Sequence, residues 1–298
     1  MSTLPAAPDT HAVTNQVAPL AGYNAFEHDR ILRAAVSAGP APWVVDKATA
    51  LGALVGDARM QSLAHDANRQ LPELRTHDRS GYRIDVVDYH PAYHELMAVA
   101  CAHGVHSLAW TAPGASAFTA RAALFYLWNE LEQGTACPVT MTFAGVQVMR
   151  TAPALAATWE PKLVANSYDL RPLPVAQKSG ATVGMAMTEK QGGSDLRATQ
   201  TRAVPTADGY ALTGHKWFCS APMSDGFFTL ARLEEGVTCF FVPRSLPDGT
   251  RNRFLIQRLK DKVGNRSNAS AEVEYRDTFA ERVGNRAAAS RRSSRWRT

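Results

Sequence analysis

Residues 185–195, Met185-Ala186-Met187-Thr188-Glu189-Lys190-Gln191-Gly192-Gly193-Ser194-Asp195, end an apolar run on a hydroxyl. They pass through two glycines and close on a second hydroxyl and a carboxylate. Glycine lets backbone amides approach an anion, and a Ser-Asp pair can cap a short helix whose first turn carries partial positive charge. Together they suit a ligand with a flat heterocycle at one end and a phosphate at the other. Taken alone, Gly192-Gly193-Ser194-Asp195 is also an ordinary turn followed by a helix cap. Trp217-Phe218 adds two aromatic faces, which taken alone better suit the packed side of a strand.

Other chemistry-bearing residues say less. His90 and His94 lie four apart and His103 and His106 three apart, which is ligand spacing on a helix. No carboxylate or cysteine follows at zinc-motif distance, so the reading expects no metal and assigns these histidines to caps or cores. Asp85 and Asp88 read as loop and cap residues ahead of His90.

The elements that must hold these residues change character along the chain. Residues 1–22 read as an extended arm. Helical spacing begins near Asp29, with Ile31, Leu32, Ala35 and Val36 and then Leu51, Leu54 and Val55 on apolar stripes. Leu71 to Asp88 reads as a long loop. His90 to His103 and Ala115 to Gly134 read as helices, the second closed by Gly134 and Pro138, and another follows over Val139 to Met149. Residues 151–178, with Pro153, Pro161, Pro172 and Pro174 and no clean period, read as a boundary. Beyond Gly180, seven short runs rich in β-branched and aromatic residues read as strands: Thr182 to Thr188, Thr199 to Val204, Tyr210 to Phe218, Gly226 to Leu233, Val237 to Val242, Phe254 to Leu259 and Ala271 to Tyr275. The expected fold class is α+β, an N-terminal all-α domain (23–178) followed by a small antiparallel β-barrel or sandwich (179–280), with a disordered Arg-rich tail (281–298).

Composition narrows the class. A chain of 298 residues with 45% apolar content can build real cores. No apolar run approaches the roughly 18 to 20 residues of a membrane span, and the N-terminus lacks the basic-then-apolar pattern of a signal peptide. A cytoplasmic protein is therefore expected. The four widely spaced cysteines read as reduced and mostly buried. The net charge of +5 resides in the tail, where six arginines face only Glu281; the rest of the chain is neutral overall. The sign of the globular part thus argues neither for nor against a polyanionic partner.

Helices followed by a β domain opened by Thr-Glu, glycines and Ser-Asp resemble the acyl-CoA dehydrogenases. Gly214-His215-Lys216-Trp217-Phe218, Cys239-Phe240-Phe241-Val242-Pro243-Arg244, residues 259–270, His90-Pro91-Ala92-Tyr93-His94 and residues 137–143 make the resemblance specific to the AidB-like branch, the flavoproteins of the adaptive response to DNA alkylation. It runs from about Thr10 to Asp277. It implies FAD as cofactor, an acyl-CoA substrate class, possible DNA contact and a homo-oligomer, with a tetramer expected. By position it implies that Met185, Met187 and Thr188 line the flavin's pyrimidine edge and that Gly193 and Ser194 approach the pyrophosphate. Trp217, Phe218 and Ser220 would pack on or hydrogen-bond the ring, with Ser220 near the reactive N5. Glu189 reads as a structural acid in its turn, because the family takes its base from elsewhere.

The resemblance places the family's proton-abstracting glutamate in a C-terminal helical domain, and that domain is expected to be missing from this chain. No catalytic residue is therefore assigned. The Arg/Ala/Ser bias of Asn285 to Thr298 is what GC-rich DNA yields out of frame, so a truncation by frameshift near Val283-Gly284 is expected, with half a flavin site and poor FAD retention. Two alternatives stay open: a non-enzymatic DNA-binding or protective protein, and an inactive remnant.

Overall fold

The computed structural model describes residues 10, 11, 14–39, 41–112, 114 and 116–284. The expected tail from residue 285 and most of the first nine to thirteen residues of the arm lie outside these. Residues 14–22 form no helix or strand.

Among the described residues nine α-helices come first: α1 (Ala25–His28), α2 (Arg30–Ser37), α3 (Trp43–Val55), α4 (Ala58–Arg69), α5 (Pro91–Ala102), α6 (Leu108–Thr111), α7 (Ser116–Leu131), α8 (Gln133–Met149) and α9 (Pro153–Leu163). Their starts follow from capping. Asn24, Asp29 and Asp57 each accept two amide hydrogens at a helix N-terminus, and Glu132 does so for α8. His90 caps α5, taking the Ala92 N–H on Nδ1 at 3.3 Å, while His94 Nδ1 meets the Tyr168 hydroxyl at 3.0 Å. The fourfold histidine spacing thus serves a cap and a packed hydrogen bond. The helical core gathers Phe26, Leu51, Leu96, Leu124, Leu127 and Trp128, the last donating its indole N–H to Thr135 at 3.0 Å.

Three boundaries differ from the sequence reading. The stretch read as a loop contains an antiparallel hairpin, β1 (Glu73–His77) and β2 (Arg83–Asp88). Its charged residues hid the strand pattern because they are paired: Asp85 is buried against Arg83 and Arg251, and Asp88 is joined to Arg75. Neither aspartate caps α5. The proline-rich boundary contains α9, since Pro153 occupies its first turn, where a missing N–H costs nothing, and Pro161 comes only near its end. Gly134 and Pro138, read as closing α7, lie within α8.

Seven strands follow: β3 (Val183–Ala186), β4 (Arg202–Pro205), β5 (Tyr210–Ser220), β6 (Gly226–Leu233), β7 (Gly236–Pro243), β8 (Phe254–Leu259) and β9 (Ser270–Arg282). Neighbour pairings run β6–β4–β5–β9–β7 and return from β7 to β6, which closes a barrel, with β3 added on β6 and β8 on β9. Most pairs are antiparallel; β3 and β4 each run parallel to β6. Closure removes the exposed edges of the ring. β9 runs two residues beyond the boundary expected at 280, because Glu281 and Arg282 pair with β7. The barrel core packs Leu212, Phe227, Phe240, Phe254, Ile256 and Tyr275, and a third cluster, from Val146 and Trp159 to Val183, Phe228 and Phe241, joins the barrel to α8 and α9.

Candidate functional site

β3 ends where the glycine-rich stretch begins, and β5 ends beside it. The two are drawn together because Gly184 has no side chain: a Cβ there would sit 2.8 Å from the Phe227 ring and 2.9 Å from the Ser220 carbonyl oxygen. The Trp217 N–H then donates to the Thr188 carbonyl at 2.8 Å. This bond fixes the two segments that the sequence singled out side by side. Met185, Met187, Thr188, Trp217 and Ser220 are half-buried, whereas Gly193, Ser194 and Phe218 are exposed, so none of the eight is sealed in the core.

The chain turns back after Thr188 through Glu189 and Gly192, whose N–H groups each donate to the other's carbonyl at 3.1 Å. Gly193 folds onto Thr188, leaving no room for a Cβ, which would meet the threonine side chain at 2.8 Å. Asp195 caps the following 3-10 turn (Leu196–Ala198) by accepting the Arg197 N–H. Among the described residues neither the Thr188 hydroxyl nor the Ser194 hydroxyl has a hydrogen-bond partner, and the Gly193 and Ser194 amides have no backbone acceptor. Four donors are thus left at one rim of the surface.

Around Trp217 the charge is positive. The Lys260 ammonium stands 3.1 Å from the centre of its ring and 4.7 Å from that of Phe218. Lys190 and Arg258 lie 5.3 and 5.5 Å from the Trp217 centre. Cations over aromatic faces are attracted by the ring quadrupole. Glu272 partly offsets them by pairing with both Arg258 and Lys260. The aromatic pair sits at an irregularity in the β5–β9 register between Lys216 and Cys219, which re-aims these side chains.

Beyond the surface, Ser220 Oγ lies 3.4 Å from Ser270 Oγ, with the Cys137 thiol of α8 nearby. Burial pushes that thiol's pKa up, against the nearby Ser220 hydroxyl and Lys262 charge. Lys262 itself donates to the Asn268 carbonyl at 2.6 Å, and burial lowers its pKa. Glu189 faces the other way. Its carboxylate is buried and takes hydrogen bonds from Lys216, Thr201 and the Gln200 amide, so it is no general base for a bound molecule.

The structure therefore joins Met185, Met187, Thr188 and Gly193 to Trp217, Phe218 and Ser220 in one place. It adds Lys190, Arg258, Lys260 and Cys137, which the sequence reading did not assign. Lys260 and Lys262 alternate around Asp261 within residues 259–270, a local pattern that marks them as a charged turn.

Two known family descriptions match the chain. Residues 15–170 match the family described as "Adaptive response protein AidB N-terminal domain", and residues 184–278 match "Acyl-CoA dehydrogenase, middle domain". The chain is 47% identical over 273 residues to "Putative acyl-CoA dehydrogenase AidB" of Escherichia coli (strain K12), covering 91% of this chain and 50% of that protein. It is 29% identical to "Acyl-CoA dehydrogenase family member 11" of Caenorhabditis elegans, over 76% of this chain and 38% of that protein. Among solved structures, the apo form of Bd2924 superposes with a TM-score of 0.79 at 26% identity, over 91% of this chain and 56% of the other. Caenorhabditis elegans ACDH-11 in complex with C11-CoA gives 0.78 at 25% identity, over 93% and 49%. The chain spans half or less of the length of these two sequence relatives.

Proposed function

The chain belongs to the acyl-CoA dehydrogenase family, with an AidB-type N-terminal domain, and we propose that the surface formed by β3, β5 and the glycine turn holds FAD. The observation that carries this reading is the set of unpartnered donors at Thr188, Gly193 and Ser194 beside the Trp217–Phe218 faces and their three cations. The donors suit the polar edge and the phosphates of such a cofactor, and the aromatic and methionine side chains suit its flat ring. The chemistry that FAD supplies in this family is acceptance of a hydride from an acyl-CoA thioester. Thr188 and Ser220 orient the ring by donating hydrogen bonds. Met185 and Met187, packed against the cluster from α8 and α9, exclude water from its buried side. Lys190, Arg258 and Lys260 stabilise added negative charge.

Acyl-CoA as substrate is supported by the relatives' names and by C11-CoA in the ACDH-11 complex. A role in the response to alkylated DNA, with DNA contact and a homotetramer, is supported only by membership of the AidB-type branch. A cytoplasmic setting agrees with four free cysteines; among the described residues no helix is long and apolar enough to cross a membrane. No described residue is assigned as the base that removes the α proton. The test is direct titration of the purified chain with FAD, read by quenching of flavin fluorescence. Saturable binding that Thr188→Val weakens supports the proposal; absence of saturable binding at millimolar FAD overturns it.

A further inference from the structure

A cavity of about 280 Å³ lies between α5, the β1–β2 hairpin and the turn from β5 into β6, and none of the eight flavin-surface residues lines it. Tyr89, Tyr93, Met97, Pro138 and Met223 give it mainly apolar walls. Most charges at its rim cancel: Lys178 is paired with Asp225, Arg171 with Asp169, and Asp88 with Arg75. Arg244 is the exception. It is 9% exposed, and among the described residues no carboxylate lies within ion-pairing distance of it. Its guanidinium reaches only the Met223 and Asp85 carbonyls, at 3.3 and 3.5 Å. Ser224, also in the wall, is buried with a hydroxyl that has no hydrogen-bond partner.

A buried guanidinium with five donors and two long bonds is poorly compensated, as is a buried hydroxyl with none. A carboxylate answers both, because it accepts two parallel N–H bonds from arginine and has lone pairs left for a hydroxyl. We propose that this cavity is a binding site for an amphipathic monocarboxylate, with its carboxylate on Arg244 and Ser224 and its hydrocarbon body against Tyr89, Tyr93 and Met97. One unpaired cation matches one negative charge, and the aspartates nearby oppose a dianion. An amine is repelled by Arg244, whose charge Asp225 and Asp85 offset only from beyond ion-pairing distance, and a neutral alcohol adds no charge to meet it.

The probe is octanoate, with octanol and octylamine as controls, titrated into the full chain without flavin and read by calorimetry. Octanoate is expected to bind saturably and at least tenfold more tightly than either control. Ser224→Ala, which removes only an unpartnered hydroxyl, is expected to weaken octanoate severalfold, and Arg244→Gln to make octanoate and octanol bind alike. Equal binding of octanoate and octanol to the unaltered protein, or no saturable octanoate binding, overturns the proposal without recourse to any variant. So does displacement of octanoate by FAD, which would put it on the flavin surface. Loss of FAD binding with octanoate binding retained counts against the flavin proposal alone.

Discussion

Glu189 Oε1 and Lys216 Nζ lie 2.7 Å apart inside the β-barrel, with both side chains shut away from solvent. The carboxylate also accepts hydrogen bonds from the Thr201 hydroxyl and amide and from the Gln200 amide. This pair ties the glycine-rich turn to β5 from behind, so the surface on the other side rests on a rigid support. Breaking a buried pair from one side leaves an uncompensated charge at a cost of about 3–5 kcal/mol, whereas replacing both members with apolar groups is often neutral. Glu189→Gln and Lys216→Met should each lower unfolding free energy on that scale in urea titrations. Glu189→Leu with Lys216→Met should recover much of it, and a double variant as unstable as the sum of the singles would show that the pair is not the cause.

Acid should unfold the protein in two stages. Burial lowers the His106 imidazole to about 4 despite its hydrogen bond to the Ala165 carbonyl, so the folded state resists a proton that the unfolded chain takes up below its ordinary pKa near 6.5. Stability is full above that value and declines as pH falls toward 4, by on the order of 3 kcal/mol. Burial pushes the Glu189 carboxyl up, but Lys216, Thr201 and the Gln200 amide outweigh it and hold it down to about 2. Its contribution is present above the ordinary carboxylate range and is lost between roughly pH 4.5 and 2. Urea midpoints against pH should show both arms, and His106→Leu should shrink the upper one, to which His94 and His103, also lowered by burial, add.

If FAD lies on the surface proposed for it, Gly193 serves its approach to the glycine turn. A Cβ there meets Thr188, while the turn itself is exposed. Gly193→Val should weaken FAD binding at least tenfold, with a modest fall in thermal midpoint as Thr188 shifts to make room. Equal binding by the variant would show that the pyrophosphate does not approach this turn.

Lys260 lies over both rings at the surface and is only partly neutralised by Glu272. Lys260→Gln should weaken FAD by about fivefold to tenfold and flatten the salt dependence of its binding, since one screened attraction is removed. An unchanged slope between low and high salt would exclude Lys260 from the anion's field.

Glu132 joins the helices to the loop after β8. It caps α8 by accepting the Gly134 and Thr135 amides, and it also accepts the Ser267 hydroxyl at 2.5 Å. Glu132→Ala removes the cap and orphans Ser267, a loss of about 2 kcal/mol or more. Hydrogen exchange should rise in residues 133–136 and 263–268 together, because one carboxylate holds both.

Much of the fold was legible because its patterns are local. The helices α3, α5 and α7 follow apolar stripes and capping residues, and six of the seven barrel strands fall within two or three residues of the β-branched runs. β1 and β2 were not legible. Their charged residues are satisfied by Arg83, Arg251 and Arg75, partners that no strand pattern reveals. α9 was hidden by prolines whose cost depends on position in a helix, not on number.

The sequence alone determined which residues are of the right kind: Thr188, Gly193 and Ser194 in a glycine turn, and Trp217, Phe218 and Ser220 near the end of a strand. Only the tertiary structure decided that they meet. Barrel closure and the side-chain-free Gly184 bring β5 against β3, and the Trp217–Thr188 hydrogen bond sets them side by side. Tertiary structure also turned Glu189 inward to Lys216 and left Arg244 without a carboxylate at a cavity wall. Local periodicity carries no information about which buried charge finds a partner across 27 residues and which finds none, because that is settled by packing between distant segments.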